Sequence, residues 1–329
     1  MTTIYDPLKA YLKLQAKLKS AVTEDEDSKQ TKRDYDVEEA ASLSSSKHHY
    51  IPQYFINGFL AADKQMDVYD KQRGAIQKHR KSTGGVFYEL GRNSADFGFS
   101  RPVSLFEDAY GTIDNLLPAA VKLLRADPKL ITRDIFLELM AHINILIIDL
   151  FWRNINSDQL FEDIYSNYKI TFTLDKTKVL SKEHTEYLKT IPGFKQLSRL
   201  SLIQSALRDA LEMEAQEITT GNLIAFETDQ ICIGDMPFLF LFQPYDHYSL
   251  NRVPAIIPIS KSKIYLRNVE RIRSFDSSDT CMINALIIKQ SSKMICGANP
   301  TVLKSAIECY DFACKNNCFD EYWGKLFYD

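Results

Sequence analysis

Two adjacent histidines, His48 and His49, are the residues of this chain best suited to acid–base or metal chemistry. A neutral imidazole is the commonest metal ligand among side chains, and it exchanges a proton near pH 7. Neighbouring side chains of an extended segment point to opposite sides, so at most one of the two easily reaches a given site. The alternative is structural: one histidine caps the helix that follows Pro52, or it hydrogen-bonds a backbone carbonyl.

A single carboxylate, Asp235, interrupts a strongly apolar stretch within the motif Gly234-Asp235-Met236-Pro237. Gly and Asp before a proline are typical of a tight turn, in which the aspartate often bonds its own backbone. The functional interpretation is a carboxylate that the end of a strand presents toward His48 or His49. The sequence leaves both interpretations open.

A narrow polar stripe follows one side of the apolar segment 135–152. Its members fall within an arc of roughly 60° at 100° per residue, and they are Glu138, His142, Asp149, Arg153 and Asn156. A solvent-facing side is normally wider, so the stripe predicts an internal polar site whose groups satisfy one another. Glu138 with His142, and Asp149 with Arg153, are i, i+4 pairs that can touch. The alternatives are a helix edge at solvent and two structural ion pairs.

Together these groups could build one oxygen-and-nitrogen site, either for a metal ion or for acid–base catalysis. The predicted catalytic residues are His48, His49, Asp235, Glu138 and His142. The candidate metal ligands are His48, His49, Asp235 and Asp149. Arg153 suits an anionic group of a substrate, such as a phosphate or carboxylate. The cofactor is unknown from the sequence, and a divalent metal is what this donor set would bind.

The hairpin at residues 71–81 is the most basic local feature, with Lys71, Arg73, Lys78, His79, Arg80 and Lys81. Such a cluster could contact a phosphate-containing ligand or nucleic acid. A solvated charged turn is the alternative.

The six cysteines all lie after residue 231. A disulfide-stapled secreted domain would be shorter and would spread them more evenly, so a reducing cytoplasm is expected. Cys309, Cys314 and Cys318 lie close together without a fourth ligand at a zinc-site spacing, and we interpret them as buried small hydrophobic residues. The sequence also lacks the Walker, GxGxxG, GxSxG and HExxH motifs.

Composition is that of a soluble globular protein. Of the 329 residues, 45% are hydrophobic and 25% are charged, which allows a sizeable core. The net charge of −3, from 40 basic and 43 acidic residues, provides no global attraction to nucleic acid or an anionic membrane. The longest apolar run, residues 143–152, is too short and too polar to span a bilayer, and residues 1–20 do not resemble a signal peptide.

The spacing of hydrophobic residues changes along the chain, and it predicts the helices and strands that must position these residues. Residues 7–20 predict an amphipathic helix and residues 23–46 a flexible polar linker. Helices are predicted at 51–59, 103–126 (one or two, divided at Pro118), 132–154, 158–168, 182–189, 193–217, 279–291 and 301–313. Short strands are predicted at 66–70, 75–78, 87–89, 223–226, 230–233, 238–242, 255–259, 263–266 and 293–296. This order predicts an α+β fold, mostly helical with short antiparallel strands and hairpins.

Several of these motifs, taken in order, resemble the DUF4238 family, an uncharacterised group found mostly in bacteria. The resembling segments are His48-His49-Tyr50-Ile51-Pro52-Gln53, Val68-Tyr69-Asp70-Lys71 with Gly74, the helix ending at Arg153, Gly234-Asp235-Met236-Pro237, and Ile257-Pro258-Ile259-Ser260, followed by Met282-Ile283-Asn284 and Met294-Ile295-Cys296. Gly234 stands where the family commonly has Ser. The resemblance runs from about residue 47 to about 310, and it implies one α+β domain over 47–329, with residues 1–46 outside it.

The resemblance marks His48, His49, Pro52, Gln53, Arg153, Asp235 and Pro237 as family-pattern positions, but it implies no activity. Gln53 joins Arg153 as a predicted substrate-binding residue. We expect a metal-dependent or acid–base hydrolase, nuclease-like, acting on a phosphate-containing substrate. The alternative is a non-enzymatic sensor or interaction module, in bacterial defence or mobile-element biology, that binds a protein partner through residues 1–46.

Overall fold

A computed structural model describes residues 47–90, 92–93, 105–126, 133–167, 173–175, 178–179, 181–191, 193–212, 221–241, 250, 252–269 and 275–328. The helix and linker predicted for residues 1–46 lie outside this part of the chain. The expected division into residues 1–46 and a single domain over 47–329 stays a prediction.

The helices are α1 Gln53–Ile56, α2 Leu105–Arg125, α3 Arg133–Arg153, α4 Asp158–Ser166, α5 Lys182–Lys189, α6 Phe194–Glu212, α7 Ser277–Gln290, α8 Pro300–Asn316 and α9 Phe319–Phe327. Short 3-10 turns occur at Asn57–Phe59, Thr83–Gly85 and Ile155–Ser157. The strands are β1 Lys47–His49, β2 Asp67–Asp70, β3 Ala75–Ile76, β4 Tyr88–Leu90, β5 Thr173–Asp175, β6 Lys178–Val179, β7 Gly221–Ala225, β8 Ile233–Gly234, β9 Leu239–Phe240, β10 Ala255–Ser260, β11 Lys263–Arg267 and β12 Met294–Gly297.

This set of elements confirms the predicted α+β class with small antiparallel sheets. The helix at 182–189 ends where its sequence predicts, and α2 is one helix that continues through Pro118. Strands β1, β5 and β6 and helix α9 were not predicted. The first three are too short to carry a periodic pattern of their own.

The described residues fall into two compact units. The smaller unit contains His48 and residues within 89–116 and 159–212, and the larger contains residues within 49–88, 117–158 and 213–329. Helix α3 and the two four-stranded sheets belong to the larger unit. None of the helices in the described ranges is long and apolar enough to cross a membrane.

The sheet that positions Asp235 has the strand order β3-β2-β12-β8. Strand β12 pairs antiparallel with β2, so that Ile295 lies opposite Tyr69, and also with β8, where Ile295 lies opposite Gly234. The β2–β3 hairpin turns at Gly74, whose φ of +64° is a conformation that favours glycine. Three segments far apart in sequence therefore meet at β12.

A second sheet has the order β7-β11-β10-β9, with every pairing antiparallel. Strand β10 is buried at all six positions, as expected for the central part of a covered sheet. Pro258 can lie within it because the register shifts between Pro258 and Ser260, where the ladder is irregular.

Helix α7 belongs to the larger unit, and most of its residues from Asp279 to Ile288 are buried. Its first turn is closed by a capping box, in which Asp276 and Asp279 exchange side-chain and backbone hydrogen bonds. The adjacent hydrophobic core joins α7 to α8 and to strands β2 and β12, and consists of Tyr69, Cys232, Ile288, Ile295, Leu303 and Ala306. Helix α7 is thus fixed at its start and along its length.

Candidate functional site

His48 lies on β1 with its side chain almost fully buried. Its Nδ1 accepts a hydrogen bond from the backbone N–H of Asn93 at 2.8 Å. Because Nδ1 uses its lone pair here, the proton of the neutral ring belongs on Nε2. The first histidine of the motif therefore holds the Asn93 backbone, and Asn93 is itself buried.

His49 binds a different segment. Its Nε2–H donates to the backbone carbonyl of Thr83 at 3.2 Å, and its ring lies 5.9 Å from the ring of Tyr88. Gln53 contacts the same turn, because the hydroxyl of Thr83 donates to Gln53 Oε1 at 3.2 Å. His49 and Gln53 therefore both attach to the 3-10 turn at Thr83.

These contacts confirm that the two adjacent histidines serve different surroundings, as an extended segment requires. They also match the alternative interpretation, in which a histidine bonds a backbone carbonyl. A catalytic role for His48 or His49, and a substrate-binding role for Gln53, stay predictions.

Asp235 follows β8 directly, and its side chain is fully buried. Its Oδ1 accepts from the backbone N–H of Ser292 at 2.8 Å. Its Oδ2 accepts from the N–H groups of Lys293 at 2.5 Å and Met294 at 3.2 Å, and from the hydroxyl of Ser292 at 3.2 Å. The carboxylate thus accepts from three successive backbone N–H groups, two in the loop after α7 and one on the first residue of β12. It bonds a remote loop, and not its own turn as an Asx turn would.

The end of α3 meets the same turn from the other side. The side-chain amides of Asn154 and Asn156 both donate to the backbone carbonyl of Asp235, the second at 3.2 Å. Asn154 also accepts from the backbone N–H of Asn156 at 2.8 Å and so caps the 3-10 turn that follows α3. The structure therefore brings Asn156, a member of the polar stripe, to the backbone of Asp235, whereas the Asp235 carboxylate faces residues 292–294.

One predicted pair of the polar stripe forms deep inside the protein. Arg153 Nη2 lies 3.1 Å from Asp149 Oδ1, and their side chains are 3% and 0% exposed. Such a buried pair stabilises the fold only when its remaining polar atoms are also satisfied. His142 is half-buried about two turns before Asp149, and the side chain of Glu138 lies outside the described residues. The i, i+4 contact of Asp149 with Arg153 is confirmed, and a second ion pair at Glu138 stays a prediction.

Within the described part of the chain, no three or more His, Cys, Asp or Glu residues are arranged to hold a metal ion. The oxygens of Asp235 face backbone N–H groups, and His49 faces a carbonyl and an aromatic ring. Both side chains therefore bind other groups of the protein. These contacts differ from the convergent arrangement that a cation requires.

Sequence reasoning placed Lys71 in the basic hairpin and in a segment that resembles the family, but gave it no structural role. Its ammonium donates to the carbonyls of Ile288, Lys289 and Ser291 at 2.7, 3.0 and 2.6 Å. These are the unsatisfied carbonyls at the end of α7, where the helix dipole also favours a positive charge. Burial lowers the pKa of Lys71, while the nearby carboxylate of Asp235 opposes that shift. The lysine therefore caps α7 beside the loop that Asp235 holds.

Two side chains of α7 hold the segment around Asp235. Asn284 accepts from the backbone N–H of Cys232 at 3.0 Å and donates to the carbonyl of Gln230 at 2.7 Å. Gln290 donates to the carbonyls of Met236 at 3.1 Å and Phe238 at 2.5 Å. The contacts of Asn284 were predictable, because a polar Asn within an otherwise apolar helix must find hydrogen-bond partners.

Arg125 performs a similar task at the end of α1. Its guanidinium donates to the carbonyls of Tyr54, Phe55 and Ile259 at 3.0, 2.6 and 2.9 Å. Burial lowers its pKa to about 10. A Cβ at Gly58 would overlap this guanidinium, so the glycine after the motif helix leaves room for the arginine. Nothing in the local sequence indicates this contact, because the partners are backbone carbonyls.

Three of the six basic residues of the hairpin make side-chain contacts within the protein, namely Lys71, Arg73 and Arg80. Lys71 caps α7, and Arg80 pairs with Asp63 and lies 3.2 Å from Asp67 while it donates to the Ala298 carbonyl at 2.9 Å. Arg73 lies 3.5 Å from Asp70 across the hairpin. The cluster that predicted a phosphate-binding surface is thus partly neutralised by contacts with nearby carboxylates.

A family model described as a protein of unknown function (DUF4238) matches residues 47–301. The match covers more than half of the chain, so the chain belongs to the DUF4238 family. Every motif residue discussed above lies within this span, whereas most of α8 and all of α9 follow it. No curated protein and no solved structure matches the chain.

Proposed function

We propose that this protein is a non-enzymatic interaction module in which the family motifs maintain the fold and residues 1–46 bind a partner protein. The observation that carries the proposal is the fully buried carboxylate of Asp235, which accepts four hydrogen bonds from residues 292–294. A catalytic carboxylate must instead present an oxygen to substrate, metal or water.

The other motif groups support the same conclusion. The Nδ1 atom of His48 accepts from the Asn93 backbone, and the Nε2 atom of His49 donates to the Thr83 carbonyl. In His48 this bond occupies the Nδ1 lone pair, so the ring could take a proton from a substrate at that atom only after the bond breaks. Motifs of this kind are expected in a family defined by its fold, with the partner-binding residues elsewhere on the chain.

The segment before the family domain has a composition suited to partner binding. The family match begins at residue 47, so residues 1–46 are an addition to it. Their sequence has a lysine-rich apolar repeat at 7–20, followed by the acidic run Glu24-Asp25-Glu26-Asp27. Charged segments of low hydrophobicity typically order on a partner, and an amphipathic repeat can lay its apolar side into a groove. We place this interaction in a bacterial cytoplasm, in a defence or mobile-element setting.

The proposal is tested by comparing the full chain with two matched variants in the cells that make it. One variant lacks residues 1–46, and the other carries those residues in scrambled order. We expect one protein to co-purify stoichiometrically with the full chain and with neither variant, while all three chains keep the same urea unfolding midpoint. Equal co-purification with all three chains would overturn the assignment of residues 1–46.

A hydrolase acting on a phosphate-containing substrate is the second candidate. The observation that favours it is the contact between the end of α3 and the Asp235 turn. Asn154 binds the Asp235 carbonyl and directly follows Arg153, which pairs with Asp149. A thermal shift assay with a phosphate ester and Mg²⁺ tests it. The hydrolase requires a Tm increase in the native chain that Arg153→Lys abolishes and Lys195→Arg, a surface control, retains. No Tm increase in either chain favours the interaction module.

A further inference from the structure

Two half-buried thiols face one another between helices α7 and α8. Cys281 lies in the second turn of α7, and its Sγ is 3.9 Å from the hydroxyl of Ser305 on α8. Ser305 and Cys309 are four residues apart, so they lie on the same side of α8. The thiol of Cys309 is the hydrogen-bond partner of Cys281. The two thiols therefore lie next to one another where α7 packs on α8, beside the Ser305 hydroxyl.

The two thiols are chemically unequal. The hydrogen bond from Cys309 lowers the pKa of Cys281 to about 6, and the Ser305 hydroxyl adds to this effect against the opposing cost of burial. The same hydrogen bond raises the pKa of Cys309. The hydrogen bond thus favours the thiolate form of Cys281 and keeps the proton on Cys309. A thiolate is the form of cysteine that attacks peroxides and disulfides.

The remaining cysteines have different surroundings. Cys314 is hydrogen-bonded to Tyr310 and Cys318 to Tyr322, so their partners are phenol groups. Cys232 and Cys296 are fully buried, and burial raises the pKa of both. The interpretation of the C-terminal cysteines as buried hydrophobic residues is wrong for Cys314, which is exposed. These four residues are the natural controls for the Cys281–Cys309 pair.

We propose that Cys281 and Cys309 form a reversible redox pair, oxidised by a peroxide to a disulfide that links α7 to α8. The Cys281 thiolate attacks the peroxide O–O bond, which breaks to give a sulfenic acid on Cys281 and one hydroxide that becomes water. Cys309 sulfur then attacks the sulfenic sulfur, its proton leaves with the hydroxyl as a second water, and the S–S bond forms. The two thiols lose two electrons and two protons, and one peroxide becomes two waters. A dithiol reductant reverses the reaction by thiol–disulfide exchange.

The linkage has a structural consequence because α7 carries the contacts that hold the Asp235 turn. Asn284 and Gln290 bind residues 230–238, and Lys71 caps the helix end. A bond from α7 to α8 links the two helices that precede and follow β12 in the chain. Oxidation is therefore expected to stabilise this part of the larger unit, independently of whether the protein is an enzyme or an interaction module.

The test is peptide mass spectrometry of the full chain after exposure to hydrogen peroxide at pH 7.4, without prior reduction. We expect a cross-linked peptide containing Cys281 and Cys309, a loss of two free thiols per chain, a higher urea midpoint, and full reversal by dithiothreitol. Cys314→Ser and Cys318→Ser should form the same cross-link. Cys309→Ser should instead leave a sulfenic acid on Cys281 that dimedone labels.

Alkylation of the native chain provides a readout that needs no variant. The rate of Cys281 modification by iodoacetamide should reach half of its maximum near pH 6, because only the thiolate reacts. A half-maximum near pH 9, or peroxide cross-links that join Cys314 or Cys318 as often as Cys309, would overturn the proposal. So would a Cys281 that stays reduced while the exposed Cys314 oxidises.

Discussion

Replacing Asp235 by asparagine tests whether the most buried motif carboxylate stabilises the fold. Asn has nearly the same shape but only one acceptor oxygen. If that oxygen takes the place of Oδ2, it still accepts from Lys293 and Met294, which lie at 2.5 and 3.2 Å from Oδ2 in the native chain. The new amide N–H then faces the Ser292 N–H, which loses its acceptor at 2.8 Å.

The loss in the free energy of unfolding follows from these contacts. One buried donor without an acceptor costs about 1–3 kcal/mol, and neutralising the acceptor roughly halves the strength of the remaining bonds. The substitution also removes a buried charge, whose desolvation costs free energy in the native chain. This offsets part of the destabilisation. We therefore expect Asp235→Asn to lower the free energy of unfolding by about 2–4 kcal/mol.

Urea denaturation, followed by circular dichroism, measures the difference. Asp229→Asn is the matched control, because that carboxylate makes a partly exposed pair with Lys261 at 3.0 Å. A surface pair contributes about 0–1 kcal/mol. Ser292→Ala, which removes only the 3.2 Å hydroxyl bond, provides a milder variant if Asp235→Asn does not fold. Equal free energies of unfolding for the two Asp→Asn variants would refute the reasoning.

Three further predictions concern the same part of the molecule. Gly234→Ala should destabilise by about 1–3 kcal/mol in urea denaturation, because its Cβ would overlap the Ser291 hydroxyl, whereas Gly324→Ala, with open space around it, should not. Lys71→Met should cost about 1–3 kcal/mol and speed hydrogen exchange at the end of α7, since two carbonyls of the last helical turn and that of the cap residue Ser291 lose their donor; unchanged exchange there would contradict the capping role. Burial raises the pKa of Cys232 to about 12, so the stability that its protonated thiol contributes is present below pH 9 and is lost as the pH rises toward 12. The native chain should therefore lose about 1.4 kcal/mol more than Cys232→Ala between pH 8 and pH 10, and parallel pH profiles would contradict this.

Much of the fold was predictable from local periodicity. The apolar run that forms α3 and the strands that form β10 and β11 have patterns long enough to specify their type. The pairing of β12 with both β2 and β8 was not predictable, because register between distant segments depends on tertiary packing. A two-residue strand such as β8 acquires its identity only from its neighbour.

At the candidate site, too, the sequence predicted the unusual residue but not its tertiary partners. The sequence indicated that Asp235 was unusual, because a lone carboxylate within apolar strands must find partners. It could not indicate that those partners are the N–H groups of residues 292–294, since every residue carries a backbone N–H. Lys71 and Arg125 were missed for a related reason: each binds backbone carbonyls that have no sequence signature.

The measurement that tests the central claim most directly is metal-dependent hydrolysis of phosphomonoester and phosphodiester substrates by the native chain and by Asp235→Asn, each normalised to its folded fraction. If the motif residues maintain the fold of an interaction module, neither chain hydrolyses these substrates faster than buffer with the same metal. Turnover by the native chain that is absent from correctly folded Asp235→Asn would contradict the account and assign Asp235 to catalysis.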